Sequence, residues 1–160
     1  MICADVARGD GSDYSAVQVF ELETLTQVAE YKGQLGTTEF GNFLIELATK
    51  YNDAILVVEN NNIGWATLQT IIDRGYDNLF YQDKDHMIID NEHQYTNRYK
   101  HIDKNKVPGF TTSSKTKPLV VAKMEEYTRE KLVNLRSSRL IDELFVFIYK
   151  NSKTEALDGY

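Results

Sequence analysis

The sequence predicts an α/β domain whose mixed sheet joins an antiparallel three-strand meander to parallel strands, with helices packed on the sheet. Two patterns predict this class: three strand-like segments follow one another at the N-terminus, and helical and strand-like segments then alternate. A length of 160 residues suits one domain with a sizeable core, and 42% hydrophobic and 26% charged residues are typical of globular domains. No apolar run approaches the length of a membrane span.

The first three strands are predicted from short apolar or alternating runs that turn residues separate. The first covers about Ile2–Ala7 and is followed by a turn rich in glycine, aspartate and serine. The second covers Tyr14–Glu23, and the third covers Leu25–Tyr31 after a break at Thr24. Because such short connections join neighbouring strands, we expect an antiparallel meander.

A helix and a buried strand come next. Helical spacing of phenylalanine and leucine predicts a helix from a cap at Gly36–Thr38 up to Tyr51. The run Ala54–Glu59 is almost continuously apolar, which is typical of a central strand covered on both faces. Asn60–Asn62 is predicted to cap a second helix, which ends before Gly75.

The second half of the chain is less regular. A short strand is predicted at Leu79–Tyr81, and the polar, charged stretch Asp83–Thr116 is predicted to be a long loop. A third helix begins at Thr116, with proline in its first turn. The remaining predicted elements are a short helix from Ser138, a strand near Val146–Lys150 and a returning segment at Thr154–Leu157.

Two of the predicted strands end in an acidic residue. Met1–Ala4 leads into Asp5, and Ile55–Val58 leads into Glu59. The order of elements is the opening of RNase H-like folds, in which neighbouring strands bring carboxylates to one edge of the sheet. Mg²⁺ and Mn²⁺ prefer oxygen ligands, so we predict Asp5 and Glu59 as catalytic residues and metal ligands. A solvated carboxylate at a strand end is the alternative for either acid alone.

A further acid, Asp13, lies in the turn after the first strand. Two acids seldom hold the two ions of a phosphodiester-hydrolysing site, so another ligand is needed. Asp13 is placed to point back toward Asp5 and is a candidate metal ligand. Stabilising the turn is the commoner role of an aspartate at such a position.

Basic residues concentrate in one segment of an acidic chain. The net charge is −6, yet residues 98–117 carry six basic side chains and one acidic side chain. This distribution is compatible with phosphate binding, and a solvated loop is the equal alternative. The candidate DNA contacts, called the basic strip below, are Arg98, Lys100, Lys104, Lys106, Lys115 and Lys117.

Other kinds of site find no support in the sequence. The single cysteine, Cys3, excludes an internal disulfide and a cysteine zinc cluster, and the three histidines lack the spacing of a zinc site. The serines lack a nearby histidine for a catalytic triad, and the turn at Gly9–Gly11 lacks the following lysine and helix of a Walker loop.

Four segments resemble, in order, the nuclease domain of large terminase subunits, the DNA-packaging motors of tailed, T-even-like phages. They match its first motif, its second acidic motif, a segment before the next helix, and the stretch that leads into the third motif. In this chain they are Ala4–Gly9 with Asp13–Ser15, Val57–Asn61, Pro108–Ser113 with Lys115–Pro118, and Phe147–Tyr149 with Ala156–Tyr160.

The resemblance covers nearly the whole chain and implies a metal-dependent endonuclease that cuts concatemeric DNA by two-metal hydrolysis, with Mg²⁺ or Mn²⁺. Asp5 and Glu59 would be metal ligands and Asp13 a supporting acid. The implied partners are double-stranded DNA, a packaging ATPase domain in the full-length chain, the portal and the small terminase subunit. The implied setting is the host cell cytoplasm, without a membrane, and we expect the isolated domain to be a monomer.

The resemblance also implies that residues 1–160 are one nuclease domain without the ATPase domain and the C-terminal helix. The family has a third catalytic aspartate after the glycine of its last motif, and this chain ends at Tyr160, before that position. Asp158 precedes the glycine and does not take over the role. We therefore predict that this chain folds but binds metal weakly and cleaves poorly.

Three alternatives remain open at this point. Another RNase H-like nuclease, of the resolvase or transposase type, would share the acids, although the segment Pro108–Pro118 argues against it. An actin-like or sugar-kinase-like ATPase would need a second phosphate-binding glycine loop, which the sequence does not show. A non-catalytic module that docks DNA or the portal would bind DNA without needing a metal.

Overall fold

A four-stranded mixed sheet is the centre of the computed structural model, which describes residues 1–11, 13–83, 105–150 and 153–156. The strand order is β3-β2-β1-β4, and β1 pairs antiparallel with β2 and parallel with β4. These strands are β1 (Ile2–Asp5), β2 (Ser15–Glu21), β3 (Thr26–Gly33) and β4 (Leu56–Val58). The predicted meander joined to a parallel strand is confirmed.

Four helices and two small antiparallel pairs complete the described part. The helices are α1 (Thr37–Lys50), α2 (Gly64–Asp73), α3 (Thr116–Arg129) and α4 (Ser138–Phe145). The pairs are β5 (Tyr81–Asp83) with β6 (Lys106–Pro108), and β7 (Phe147–Lys150) with β8 (Lys153–Ala156). None of the described helices is long and apolar enough to cross a membrane.

The hydrophobic core lies between one face of the sheet and the helices α1 and α2. The register aligns buried side chains of three strands in two rows, which are Ile2, Val19 and Leu56, and then Ala4, Val17 and Val58. Helices α1 and α2 pack against each other and cover these rows with four fully buried side chains, Phe40, Leu44, Leu68 and Ile71. The helical spacing read from the sequence is the spacing of this buried stripe.

The opposite face of the sheet is less fully covered. Cys3 and Val57, which alternate with the core residues of β1 and β4, are only partly buried. The apolar run of β4 predicted a strand that is buried on both faces. In the structure only the face that packs on the helices is fully buried. The start of α4 is attached at the far edge, where the backbone N–H groups of Arg136 and Ser137 donate to Gln27 Oε1 of β3 at 2.9 Å.

Residues 106–110 are more regular than the predicted long loop, whereas residues 111–115 form neither helix nor strand, as predicted. Strand β6 pairs with β5, and Phe110 forms a parallel bridge with Glu59. The Phe110 N–H donates to Val58 O at 2.8 Å, and the Asn60 N–H donates to Phe110 O at 2.9 Å. The loop prediction is wrong for residues 106–110, because the outer edge of β4 needs backbone partners and this distant segment supplies them. Residues 84–104 lie outside the described residues.

The predicted cap of α2 is also corrected by the structure. Helix α2 begins at Gly64 after Ile63, without a side-chain cap. The buried Asn60 side chain instead donates to Pro108 O at 3.0 Å and accepts from the Thr111 hydroxyl at 2.8 Å. A buried amide must satisfy its own hydrogen bonds, and the partners of Asn60 lie about fifty residues away in the chain.

We predict that Leu44→Ala lowers the free energy of unfolding by about 2–5 kcal/mol, because it opens a cavity in the fully buried layer under the sheet. Urea unfolding followed by circular dichroism measures the change. The matched control is Leu119→Ala on α3, where the side chain is 71% exposed and the expected change is about 0.5 kcal/mol or less. Equal losses in the two variants would contradict this account of the core.

Candidate active site

Asp5 and Glu59 lie side by side at the carboxyl ends of β1 and β4. The parallel register aligns Ala4 with Val58, and the Glu59 N–H donates to Ala4 O at 2.9 Å. The next residue on each strand is an acid, so the two carboxylates are direct neighbours. Because side chains alternate along a strand, both point away from the face that packs on α1 and α2.

The Asp5 carboxyl is close enough to Glu59 to change how readily Glu59 ionises. Burial raises the pKa of the Glu59 carboxyl, and the hydrogen bond and negative charge of Asp5 raise this pKa further. The Thr112 hydroxyl and the Lys117 ammonium favour the ionised form of Glu59 and lower the same pKa. The pair therefore costs free energy when both groups are ionised, which is a cost that a bound cation would relieve.

The two acids line an open cavity of about 460 Å³. Arg8, Asp13 and Tyr14 line it on the side of the β1–β2 connection, and residues 61–63 line it before α2. The buried Ser15 closes the turn of this connection, because its Oγ accepts from the Ala7 N–H at 2.9 Å. The volume is in the range of ligand-binding sites in proteins.

Asp13 shares the cavity with the acid pair. Among the residues that the structure describes, no group of three or more His, Cys, Asp or Glu side chains is arranged to hold a metal ion. The structure therefore brings Asp5 and Glu59 together and places Asp13 on the wall of the same cavity. The role of Asp13 as a metal ligand stays a prediction.

Two close backbone approaches fix the end of β4. A Cβ on Gly64 would lie 1.9 Å from Glu59 O, so only glycine lets α2 begin this close to the acid. Gly109 has a φ of +79°, and a Cβ there would lie 2.4 Å from Val58 O. The two glycines let α2 and the segment after β6 close on the backbone that carries Glu59.

The side chain of Glu59 has a second partner that the sequence did not reveal. Asn61 Nδ2 donates to Glu59 Oε1 at 3.2 Å and to Thr112 O at 2.7 Å. Asn61 and Thr112 are thus functional candidates that sequence reasoning missed. The available signal was the position of Asn61 two residues after the acidic strand end, which the sequence analysis assigned to helix capping.

The basic strip is described only in part. Arg98, Lys100 and Lys104 lie outside the described residues. Lys106, Lys115 and Lys117 are exposed, and the last two lie at the start of α3. Lys117 acts on the charge of Glu59, and its Nζ lies 5.8 Å from the ring centroid of Phe147. The C-terminal end of the basic strip is therefore within electrostatic reach of Glu59.

The donor set of the acid pair fits a hard divalent cation. Two neighbouring carboxylates offer oxygen ligands, and the Asn61 amide donates to one of them. The described residues bring no cysteine or histidine to this cavity wall, so soft ligands are not among its lining residues.

The chain is similar to solved structures of phage nucleases. The large terminase nuclease of the thermophilic phage G20c with bound magnesium superposes with a TM-score of 0.70 at 16% sequence identity, over 99% of this chain and 72% of that chain. The cobalt-bound structure gives 0.68 at 17%, over 98% and 71%. A further structure of the large terminase nuclease of this phage gives 0.67 at 16%, over 99% and 73%.

No protein-family profile matches the chain, and no curated protein matches its sequence. At 16–17% identity, the likeness to the G20c structures shows the fold. The predicted RNase H-like fold is confirmed, with its mixed sheet and flanking helices.

We predict that Glu59→Gln raises the free energy of unfolding of the metal-free protein near neutral pH, by up to about 1 kcal/mol. The raised pKa means that ionised Glu59 destabilises the fold at pH values above that pKa, and that this cost disappears when the group is protonated in acid. Glutamine reproduces the protonated carboxyl, so it can donate to Asp5 and still accept from Asn61.

The measurement is chemical unfolding at a series of pH values in the presence of a chelator. The gain should shrink as the pH falls below the ordinary range of a glutamate. Glu46→Gln on the exposed side of α1 is the matched control and should change little. A lower free energy of unfolding for Glu59→Gln at pH 7 would contradict the claim that ionised Glu59 destabilises the fold.

Proposed function

We propose that this chain is a metal-dependent DNA endonuclease domain of a viral genome-packaging motor. The observation that carries the proposal is the Asp5–Glu59 carboxyl pair at the ends of adjacent parallel strands of an RNase H-like sheet. The similar solved structures support it, since they are large terminase nucleases and two of them contain bound magnesium or cobalt.

Asp5 and Glu59 would hold the metal, and Asp13 is the further candidate on the cavity wall. Bound Mg²⁺ or Mn²⁺ ions would supply the chemistry of phosphodiester hydrolysis, by making a water molecule more acidic and stabilising the leaving oxygen. The protein's own residues keep both carboxylates at one edge of the sheet. Lys117 offsets part of the negative charge of Glu59, and the open cavity would admit a phosphodiester backbone.

Double-stranded DNA is the substrate that we propose. The exposed Lys117 at the start of α3 acts on the charge of Glu59, and the exposed Arg8 lies on the cavity wall toward the β1–β2 connection. A carboxylate pair without a bound cation would repel the phosphates of DNA. Cationic side chains around the acids attract these phosphates and keep them near the metal site.

Two acids provide few of the roughly six oxygen ligands that Mg²⁺ takes. We therefore propose that this 160-residue chain binds metal weakly and cleaves slowly. In the same proposal the domain works with a packaging ATPase domain in a longer protein, and with the portal and the small terminase subunit. Its setting is the host cell cytoplasm, and the isolated domain is a monomer.

A non-catalytic DNA-docking module is the second candidate. It is favoured by the exposed Lys115 and Lys117, and by the finding that no three-group metal cluster exists among the described residues. Cleavage distinguishes the two candidates. A docking module would bind DNA in a salt-sensitive way and would not cleave it in Mg²⁺ or Mn²⁺.

We predict that this chain nicks supercoiled plasmid in Mn²⁺ or Mg²⁺, and that Asp5→Asn lowers the rate by at least about 100-fold, because it removes a ligand of the metal site. Gel electrophoresis of the plasmid forms measures the rate. Asp10→Asn is the control, since Asp10 is an exposed acid in the nearby β1–β2 connection that does not line the cavity. A folded wild-type chain that is inert in both metals would leave the docking module as the better account.

We predict that the double variant Lys115→Ala/Lys117→Ala binds a DNA duplex more weakly and with a shallower salt dependence. Each phosphate contact that is lost reduces the slope of log K against log salt by about 0.9. Fluorescence anisotropy in a chelator measures binding without cleavage. Lys50→Ala, at the end of α1 that leads to the start of β4, is the control. An unchanged slope would remove these lysines from the DNA surface.

A further inference from the structure

Glu59 is joined to a distant segment of the chain through a single amide group. Asn61 Nδ2 donates to Glu59 Oε1 at 3.2 Å and to the backbone oxygen of Thr112 at 2.7 Å. Asn61 also lines the acidic cavity. It therefore touches the carboxylate, the cavity and the segment after β6 at the same time.

We propose that Asn61 is a positioning residue, which holds the Glu59 carboxylate in its metal-binding orientation by anchoring it to the Thr112 carbonyl. This inference rests on the proposed metal-dependent function of the same site. It concerns how the carboxylate is held, a role that the resemblance to terminase nucleases does not assign to any residue.

The chemistry of the two partners fixes the orientation of the Asn61 amide. A primary amide has two N–H donors on its nitrogen and only acceptor sites on its oxygen. Both Glu59 Oε1 and Thr112 O are acceptors, so the nitrogen must face them and both of its hydrogens are used. The opposite orientation would bring three oxygens together, and the amide is therefore locked.

The segment that carries the Thr112 carbonyl is itself fixed by further hydrogen bonds. The Thr111 N–H donates to Gln82 Oε1 at 2.8 Å, and the Thr111 hydroxyl donates to Asn60 Oδ1 at 2.8 Å. The Thr116 hydroxyl donates to Thr111 O at 2.9 Å, which ties the segment to the first residue of α3. The Thr112 carbonyl is thus a fixed point and can restrict the rotation of Asn61.

A glutamate side chain has three rotatable bonds, and a free carboxylate must be ordered when it binds a metal. Asn61 carries out part of this ordering beforehand and leaves the second carboxylate oxygen to other partners. The Thr112 hydroxyl also favours the ionised form of Glu59, because it lowers the pKa of this carboxyl. Hydrogen-bond partners of metal ligands typically change metal affinity by about 10–100-fold when they are removed.

The first test is isothermal titration of the folded protein with Mn²⁺. We expect Asn61→Ala to weaken Mn²⁺ binding by at least about tenfold relative to wild type. Asn78→Ala is a closely matched control, because the exposed Asn78 side chain also donates to a backbone oxygen at 2.7 Å, that of Asp53, away from the cavity. Asn61→Ala that is folded and binds Mn²⁺ as tightly as Asn78→Ala would overturn the proposal.

The second test uses the wild-type protein and does not depend on how a variant folds. We expect the side-chain ¹⁵N–¹H resonances of Asn61 to shift when Mg²⁺ is added, while those of Asn78 stay in place. An Asn61 signal that stays in place while the backbone signals of Asp5 and Glu59 shift would show that the amide does not hold the ligand. That result would overturn the positioning role even if Asn61→Ala fails to fold.

The two tests separate this inference from the function on which it rests. A wild-type chain that takes up neither Mn²⁺ nor Mg²⁺ at the acid pair would overturn both the proposed metal site and the positioning role. A wild-type chain that binds the metal with no contribution from Asn61 would overturn the positioning role alone.

Discussion

The parallel, in-register pairing of β1 with β4 is the constraint on which the site depends. The register that places Ala4 beside Val58 in the core is also the register that makes Asp5 and Glu59 neighbours on the other face. A slip of one residue would turn one carboxylate toward α1 and α2 and expose an aliphatic side chain instead. The packing of the hydrophobic core thus sets the separation of the two acids. One set of backbone hydrogen bonds, between β1 and β4, fixes both the core contacts and the position of the carboxylates.

The same arrangement carries an electrostatic cost. Burial and the nearby Asp5 carboxyl both disfavour the ionised form of Glu59, and the Thr112 hydroxyl and the Lys117 ammonium offset this only in part. A protein without a function for the pair would gain stability by replacing one acid with a neutral residue. The electrostatic cost of this pair, which lies on a cavity wall, agrees with the proposed metal site.

Local patterns in the sequence predicted the parts of the structure that depend on local physics. Strand alternation, the helical stripe of α1 and the proline in the first turn of α3 were all visible, as was an acid at the end of each of two strands. Asn60 and Asn61 were misassigned because capping is a local rule, whereas their partners lie about fifty residues further along the chain. Strand β6 was missed because a three-residue strand has too few side chains to show a period.

The missed contacts are the ones that make the end of β4 rigid. Gly64 and Gly109 let two segments close on the backbone of Glu59, and Asn60 and Asn61 tie that backbone and its side chain to Pro108 and Thr112. The segment that receives these hydrogen bonds continues directly into α3, where the Lys117 N–H donates to Ser113 O at 2.9 Å. The Glu59 carboxylate and Lys117 are therefore connected through the same short segment, residues 112–117. If the exposed lysines bind a polyanion as proposed, that contact is made by the same short segment of the chain that accepts the Asn61 hydrogen bond.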